Sequence, residues 1–176
     1  MFYPKIIIKK ISSEPANIDN IKKGEIVHFI MSKIKSKEDI KNLDKITLKS
    51  LSYFGEKFYK WNIEKDFINP IKNIVDHPKL KNIMFIKDTK KFSERDIIIP
   101  LNNSYKTIRP DKVIISKQEV YVLEFKSEYS QDSYKKNIAQ LREYIFYLKK
   151  MFKKPVLGFL VYIFSNKVVE VRGWEQ

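Results

Sequence analysis

Cysteine is absent from the 176-residue chain, and glycine occurs only four times. Without thiols the protein cannot form disulfide bonds, thiolate zinc sites or a cysteine-ligated iron–sulfur cluster, which fits a cytoplasmic location. No glycine-rich phosphate loop is present, so the chain itself carries no nucleotide-driven motor. No apolar stretch approaches the ~18 residues of a membrane helix, and the first residues lack the apolar segment of a signal peptide. We therefore expect a cytoplasmic protein with no membrane partner.

Positive charge is abundant. The chain has 35 basic and 21 acidic residues, which gives a formal net charge of +14. Such an excess suits a polyanionic partner such as nucleic acid. The basic residues are almost all lysine, however, and the chain is also rich in isoleucine and asparagine, so a general composition bias would produce the same charge. Charge alone supports both explanations equally, and the motifs must decide between them.

The chain has the length of one ordinary domain, and its hydrophobic fraction of 43% argues for a folded core. We predict a single domain over residues 1–176 with two parts. Residues 1–91 are predicted to be mainly helical, after a short strand or extended arm at residues 3–11. Residues 92–176 are predicted to form a β-β-β-α-β-β core. The expected fold is α/β, with a mixed central sheet and a helical N-terminal part.

Hydrophobic periodicity locates the main elements. A helix is predicted from Asn17 or Asp19 to about Ser36, and a second from Ser133 to about Phe152, with Pro155 beyond its end. The buried stripes are expected at Val27, Ile30, Met31 and Ile34, and at Ile138, Leu141, Ile145, Leu148 and Phe152. Strands are predicted over residues 96–101, 106–116, 120–125, 156–164 and 167–172.

Two carboxylates and one ammonium group stand at the tips of two neighbouring predicted strands. Asp111 precedes the apolar run Val113–Ile115, and Glu124 and Lys126 end the next apolar run. Because residues two apart in a strand project from the same face, Glu124 and Lys126 share a face beside Asp111. Hard divalent ions prefer oxygen ligands, and metal-assisted hydrolysis of a phosphodiester needs an activated water. The pattern fits a metal ion held by two acids, with a lysine beside the attacking water.

The same residues have a purely structural explanation. A D/E-x-K pattern is weak evidence in a lysine-rich chain, and Asp39–Lys41 and Asp88–Lys90 also match it. Glu124 inside an apolar run is unusual unless its carboxylate is paired or bound to a metal ion. A cross-strand salt bridge would satisfy this carboxylate as well as a metal ion would. From these residues alone, a nuclease site and a salt bridge are equally supported.

The segment Ile108–Lys126 resembles the PD-(D/E)XK nucleases, with Pro110-Asp111 and Glu124-Phe125-Lys126 at the motif positions. Three further segments narrow the resemblance to the RecB-like branch, which includes the nuclease domains at the ends of UvrD/Rep-type helicases in AddAB-like enzymes. These segments are Gly24–His28, Ser93–Asp96 and Gln140–Tyr144. The motifs occur in the family's order and cover roughly residues 24–171.

The resemblance implies a fold, a cofactor and residue roles. The fold would be restriction-endonuclease-like, with an α-β-β-β-α-β core. The cofactor would be Mg²⁺, for which Mn²⁺ can substitute if an imidazole is among the ligands. The implied ligands are Asp111, Glu124, the backbone carbonyl of Phe125 and His28. Lys126 would orient the attacking water and stabilise the transition state, so Asp111, Glu124 and Lys126 form the expected catalytic set.

Four further residues are expected near DNA. Gln140 and Tyr144 lie four apart on one helix face, where they would contact the DNA backbone or brace the active site. Arg109 and Lys112 are each either phosphate contacts or solvated charges. Glu94 is expected to be a strand-edge residue rather than a ligand.

The expected function is a Mg²⁺-dependent deoxyribonuclease, an exonuclease or end-processing enzyme of DNA repair or recombination. Its partners would be single-stranded DNA or duplex ends and a fused or associated helicase. The sequence departs from the family at Phe125, where Tyr is frequent, and no glycine opens the Asp111 motif. Two other functions stay open, namely a non-catalytic DNA-binding scaffold of the same fold and a protein-interaction domain whose lysines reflect composition alone.

Overall fold

The computed structural model describes residues 18–173, and a five-stranded mixed sheet lies at its centre. One face of the sheet packs against the helices of the N-terminal part, and the other face packs against one long helix near the C-terminus. The predicted α/β fold with a mixed central sheet and a helical N-terminal part is confirmed. The predicted arm at residues 3–11 lies outside the described residues.

Six α-helices occur in the described part of the chain, and five of them precede the first strand. They are α1 (Ile18–Lys33), α2 (Lys37–Lys41), α3 (Leu43–Tyr53), α4 (Asn69–Val75), α5 (Lys81–Met84) and α6 (Gln131–Phe152). A 3₁₀ turn at Phe58–Lys60 and a π-helical turn at Glu64–Ile68 connect α3 to α4. The predicted stripe is fully buried, although its last member, Ile34, lies just after the end of α1. Of its two predicted caps, Asp19 lies inside the first turn and Asn17 lies outside the described residues.

Seven strands between residues 18 and 173 form two separate sheets. They are β1 (Lys90–Ser93), β2 (Ile97–Leu101), β3 (Ser104–Ile108), β4 (Lys112–Ile115), β5 (Val120–Lys126), β6 (Val156–Tyr162) and β7 (Lys167–Val171). The five-stranded sheet has the order β1-β4-β5-β6-β7, and β5 and β6 are its one parallel pair. Strands β2 and β3 form a hairpin that packs on α6.

The prediction of one strand over residues 106–116 is wrong. The chain leaves the hairpin at Ile108 and enters the five-stranded sheet at Lys112, so this segment contains two strands that belong to different sheets. Pro110 lies between them, and a proline cannot donate the hydrogen bond that would continue a ladder. Strand β1 was not predicted, because its sequence Lys-Lys-Phe-Ser carries no apolar run.

Helix α6 connects the parallel strands β5 and β6 and covers the sheet between them. The middle of its predicted stripe is buried, at Leu141, Ile145 and Leu148. Gly158 of β6 faces this stripe, and a β-carbon at that position would lie 2.7 Å from Cδ1 of Ile145. The absence of a side chain at Gly158 therefore permits α6 to pack closely against the sheet.

Candidate metal centre at the end of the central sheet

The register of β4 and β5 brings the predicted acids together. Lys112 pairs with Leu123, so Asp111, one residue earlier, lies beside the next residues of β5. The backbone N–H of Phe125 donates a hydrogen bond of 2.6 Å to Oδ2 of Asp111. The N–H and C=O of one strand residue point to the same edge, so the Phe125 carbonyl faces the Asp111 side as well. Asp111 and the Phe125 carbonyl thus share the edge that β4 leaves open.

Glu124 and Lys126 lie on one face of β5, as their spacing predicts. The Lys126 ammonium donates a hydrogen bond of 2.8 Å to Oε1 of Glu124. Glu124 is only 4% exposed, and its second oxygen, Oε2, is buried without a hydrogen-bond partner among residues 18–173. An unpartnered buried carboxylate oxygen is costly in a purely structural salt bridge. The same oxygen is an available ligand for a metal ion.

His28 reaches the strand ends from helix α1. Its Nδ1 lies 3.7 Å from Oδ2 of Asp111. Gly24, one turn earlier on α1, permits close contact with the residue after β5, since a β-carbon there would lie 2.4 Å from Oγ of Ser127. His28 and Gly24 are four residues apart and share a helix face. The small residue therefore lets the helix lie close enough for the imidazole to meet the carboxylate.

Glu94 completes a set of three residues able to hold a metal ion. His28, Glu94 and Asp111 each offer a ligand atom within 4.8 Å of the others, a set that does not include Glu124. The backbone N–H of Glu94 also donates to the Asp111 carbonyl oxygen at 3.1 Å. Sequence reasoning treated Glu94 as a strand-edge residue. Its acidic motif was the one signal that pointed to the site, because the strand before it has no apolar pattern.

The protonation preferences of these groups follow from their burial. Burial, followed by the Lys126 charge, lowers the pKa of His28 to about 4, so its imidazole is neutral at pH 7, as a metal ligand requires. Burial and the nearby Glu124 carboxylate raise the pKa of Asp111 to about 8. Burial also raises the pKa of Glu124, against the opposing effect of Lys126. A divalent cation bound between these acids would lower both pKa values and favour the charged carboxylates.

Gln140 and Tyr144 form a pair on α6 that reaches the segment before Asp111. The Gln140 amide donates a hydrogen bond of 2.8 Å to the Tyr144 hydroxyl, which lies 3.5 Å from the Arg109 carbonyl oxygen. Tyr144 is buried, and burial raises its pKa to about 12, so the phenol stays protonated. This geometry favours the bracing role of the two predicted for the pair, and a DNA contact for Gln140 stays a prediction.

Lys112 is not a phosphate contact or a solvated charge in this structure, which corrects the sequence-based prediction. The residue is 1% exposed, and its ammonium donates a hydrogen bond of 2.5 Å to the Ile34 carbonyl oxygen just after α1. Burial lowers the pKa of Lys112 to about 8. Lys112 alternates with Val113 and therefore faces the N-terminal helices, as Ile114 does. Arg109, in contrast, is exposed and lies 3.3 Å from Glu94.

Three of the candidate ligands line a large cleft of about 1350 Å³ between α1, the end of α3 and the first strand, whereas Glu124 and Lys126 lie outside its lining. His28, Glu94 and Asp111 lie in its lining. Basic side chains also line it, namely Lys33, Lys35, Lys91, Arg95 and Arg109. The lining thus combines candidate metal ligands with basic side chains, which is the combination expected for binding a phosphate chain at a metal site.

Comparisons with known proteins add no relative, since a scan against protein-family models and a search of curated proteins both give no match. None of the helices between residues 18 and 173 combines the length and the apolar character that crossing a membrane requires. The proposed function therefore depends on the geometry of the site alone.

Proposed function

We propose that the chain is a metal-dependent DNA nuclease of the PD-(D/E)XK type, with a restriction-endonuclease-like core of the RecB-like branch. One observation carries the proposal. Glu124 is buried with one oxygen unpartnered, beside the Lys126 ammonium and close to Asp111. A core salt bridge does not need a second acid or a free oxygen at the same place, whereas a metal-assisted hydrolase needs both.

The donor set fits a hard divalent ion. Asp111, Glu94 and Glu124 supply carboxylate oxygens, the Phe125 carbonyl supplies a fourth oxygen, and His28 supplies a neutral imidazole. Oxygen-rich sites of this kind suit Mg²⁺, and the imidazole makes Mn²⁺ an effective substitute. When bound, such an ion would lower the pKa of water and offset charge on the phosphate.

The chain's own residues perform the remaining tasks. Lys126 carries an ammonium group beside the acids, where it orients the attacking water and offsets the charge that builds on the phosphate oxygens. Phe125 fixes the Asp111 carboxylate through its backbone N–H. The basic side chains of the cleft hold the flanking phosphates. Hydrolysis then breaks one P–O bond, and the water oxygen joins the phosphorus while the leaving oxygen takes a proton.

The substrate proposed is single-stranded DNA or a duplex end, in an end-processing reaction of repair or recombination. A helicase of the UvrD/Rep type, fused or associated, would supply unwound strands. The alternative is a non-catalytic DNA-binding scaffold of the same fold. That alternative predicts DNA binding without any metal-dependent cleavage.

The decisive experiment incubates the protein with end-labelled linear and circular single strands in Mg²⁺, Mn²⁺ or chelator. We expect cleavage in either metal and none in chelator, and product lengths from the two substrates reveal whether a free end is required. Asp111→Asn and Lys126→Ala should abolish cleavage while the protein stays folded. Lys41→Ala is the matched control, because Lys41 ends an exposed Asp-x-Lys segment away from the cleft. Full activity in either site variant would overturn the proposal.

A further inference from the structure

Three aromatic rings form one wall of the cleft that contains the candidate metal ligands. Tyr53, at the end of α3, stacks on Phe29 of α1, with ring centroids 4.7 Å apart and ring planes 6° apart. Phe54 meets both rings edge-on, at 5.5 Å from Phe29 and 5.4 Å from Tyr53. Phe29, Tyr53 and Phe54 all line the cleft together with His28. This cluster, the aromatic wall, is held on one side by the core that Phe54 packs against.

Tyr53 is the accessible member of the aromatic wall. It is 72% exposed, although the parallel stack with Phe29 fixes the orientation of its ring. An exposed ring at the end of a helix contributes little to the core. A ring that is both fixed and accessible loses little conformational entropy when a flat ligand stacks on it.

Positive charge accompanies the aromatic wall. The Lys33 ammonium lies 4.2 Å from the centroid of the Phe29 ring, and both Lys33 and Lys35 line the same cleft. Lys91 of strand β1 also lines the cleft, and its ammonium donates a hydrogen bond of 3.1 Å to the Lys35 carbonyl oxygen. Aromatic faces next to a line of lysines are the combination that binds single-stranded nucleic acid, because bases stack while phosphates meet the ammonium groups.

We propose that Tyr53 is a stacking platform for an unpaired nucleobase, which selects single-stranded DNA at this site. The inference rests on the nuclease proposal and deepens it by naming the substrate feature that is read. The bases of a duplex already stack on each other, so a duplex offers no free face to Tyr53. A strand that enters the cleft would place one base on Tyr53 and lead its phosphates along Lys33 and Lys35 toward the acids.

The test measures binding in chelator, so that no cleavage is needed. Fluorescence anisotropy of a labelled single-stranded oligonucleotide and of the matching duplex is recorded for the full chain and its variants. Tyr53→Ala should weaken single-strand binding by at least about fivefold and change duplex binding by less than about twofold. Tyr53→Phe keeps the ring and should bind as the original protein does. Tyr105→Ala is the matched control, since Tyr105 is 78% exposed on the β2–β3 hairpin and does not line the cleft.

The outcomes separate this inference from the nuclease proposal. Unchanged single-strand binding in Tyr53→Ala, equal losses on single strands and duplex, or a Tyr53→Phe variant as weak as Tyr53→Ala each overturn the stacking role, even if the protein cleaves DNA. A selective loss in Tyr53→Ala with no cleavage in any metal supports the platform and overturns the nuclease.

Discussion

The two faces of the central sheet bury charge in different ways. On the α6 face, Glu124 and Lys126 form a close pair, and one Glu124 oxygen is left without a hydrogen-bond partner in the described part of the chain. On the face toward α1, the buried Lys112 ammonium donates a hydrogen bond to the Ile34 carbonyl oxygen rather than to an acid of the described residues. Glu124 therefore keeps an acceptor oxygen that can bind a further group, whereas the Lys112 ammonium is bound to the backbone.

This difference shows that burial of a charged group is not by itself evidence of function. Buried charges are expensive wherever they occur, and a structural role requires that their hydrogen bonds be satisfied inside the protein. The Lys112 nitrogen has a backbone partner in the Ile34 carbonyl oxygen at the C-terminal end of α1, where a cation also interacts favourably with the helix dipole. The Oε2 atom of Glu124 has no partner among residues 18–173. The comparison predicts that substitution of Glu124 mainly reduces activity and that substitution of Lys112 mainly reduces stability.

The largest effect is expected for Glu124→Gln. This change keeps the volume of the side chain and removes its charge, so the metal site loses a ligand and Lys126 loses its partner. We expect cleavage of single-stranded DNA to fall by at least about 100-fold, measured as the rate of product formation in Mg²⁺. Thermal unfolding in chelator should occur no earlier than in the unchanged protein. A variant that cleaves at the original rate would contradict the functional role proposed for Glu124.

The next largest effect is expected for Lys112→Ala. The substitution leaves the Ile34 carbonyl unpaired and opens a cavity where the aliphatic stem was, while it removes a buried charge. We expect the free energy of unfolding to fall by about 2 kcal/mol, measured by urea denaturation followed by circular dichroism. Lys126→Ala should lose less than about 1 kcal/mol, because burial already raises the pKa of Glu124 and its carboxyl can take up a proton when the ammonium is removed. Equal losses of unfolding free energy in the two variants would contradict the structural role assigned to Lys112.

Binding of a metal ion should stabilise the folded protein against thermal unfolding. Ligand at about 100 times its dissociation constant adds about 2.7 kcal/mol, which raises the melting temperature by roughly 5–10 °C for a chain of this size. We expect this rise with Mn²⁺ or Mg²⁺ and a clearly smaller rise in Glu94→Gln, measured by differential scanning fluorimetry. Asp96→Asn is the control, because Asp96 is exposed and lies outside the set of ligand atoms. An unchanged rise in Glu94→Gln would exclude Glu94 from the ligands.

The last prediction concerns the pH dependence of stability in the absence of metal. The pKa of Asp111 is raised to about 8, so the folded state retains a proton that the unfolded state loses, and stability falls as pH rises from about 4 to 8. The pKa of Lys112 is lowered to about 8, so stability rises as pH increases from about 8 to 10. Urea midpoints should show that Asp111→Asn flattens the first slope and Lys112→Ala flattens the second. Parallel curves for both variants would refute this account.

Local pattern predicted the central part of the site. Asp111, Glu124 and Lys126 were found because an apolar run, a short turn and a second apolar run predict a hairpin, and a hairpin determines which residues are neighbours. The same pattern could have placed Lys112 correctly, since alternation puts it on the face of Ile114. Asp39, in a competing Asp-x-Lys segment, instead accepts hydrogen bonds in the capping box of α2. Its role was readable from Ser36, three residues earlier.

Glu94 and Tyr53 had no comparable signal. Glu94 follows a strand whose residues are partly exposed, and its backbone turns sharply there, with φ at 52°. Tyr53 ends a helix, and nothing in the residues around it indicates that Phe29 stacks on its ring. Both residues line the cleft because of contacts with segments that lie far away in the sequence.

The sequence by itself determined the periodic elements and the pairing of β4 with β5, because strand alternation, helical stripes and turns act over a few residues. Only the tertiary structure decided that His28 meets Asp111, that Lys112 binds the Ile34 carbonyl, and that Tyr53 faces the same cleft as the acids. These contacts join different layers of the fold. They depend on how closely each helix approaches the sheet, and that distance is set by packing across the whole core rather than by any local pattern.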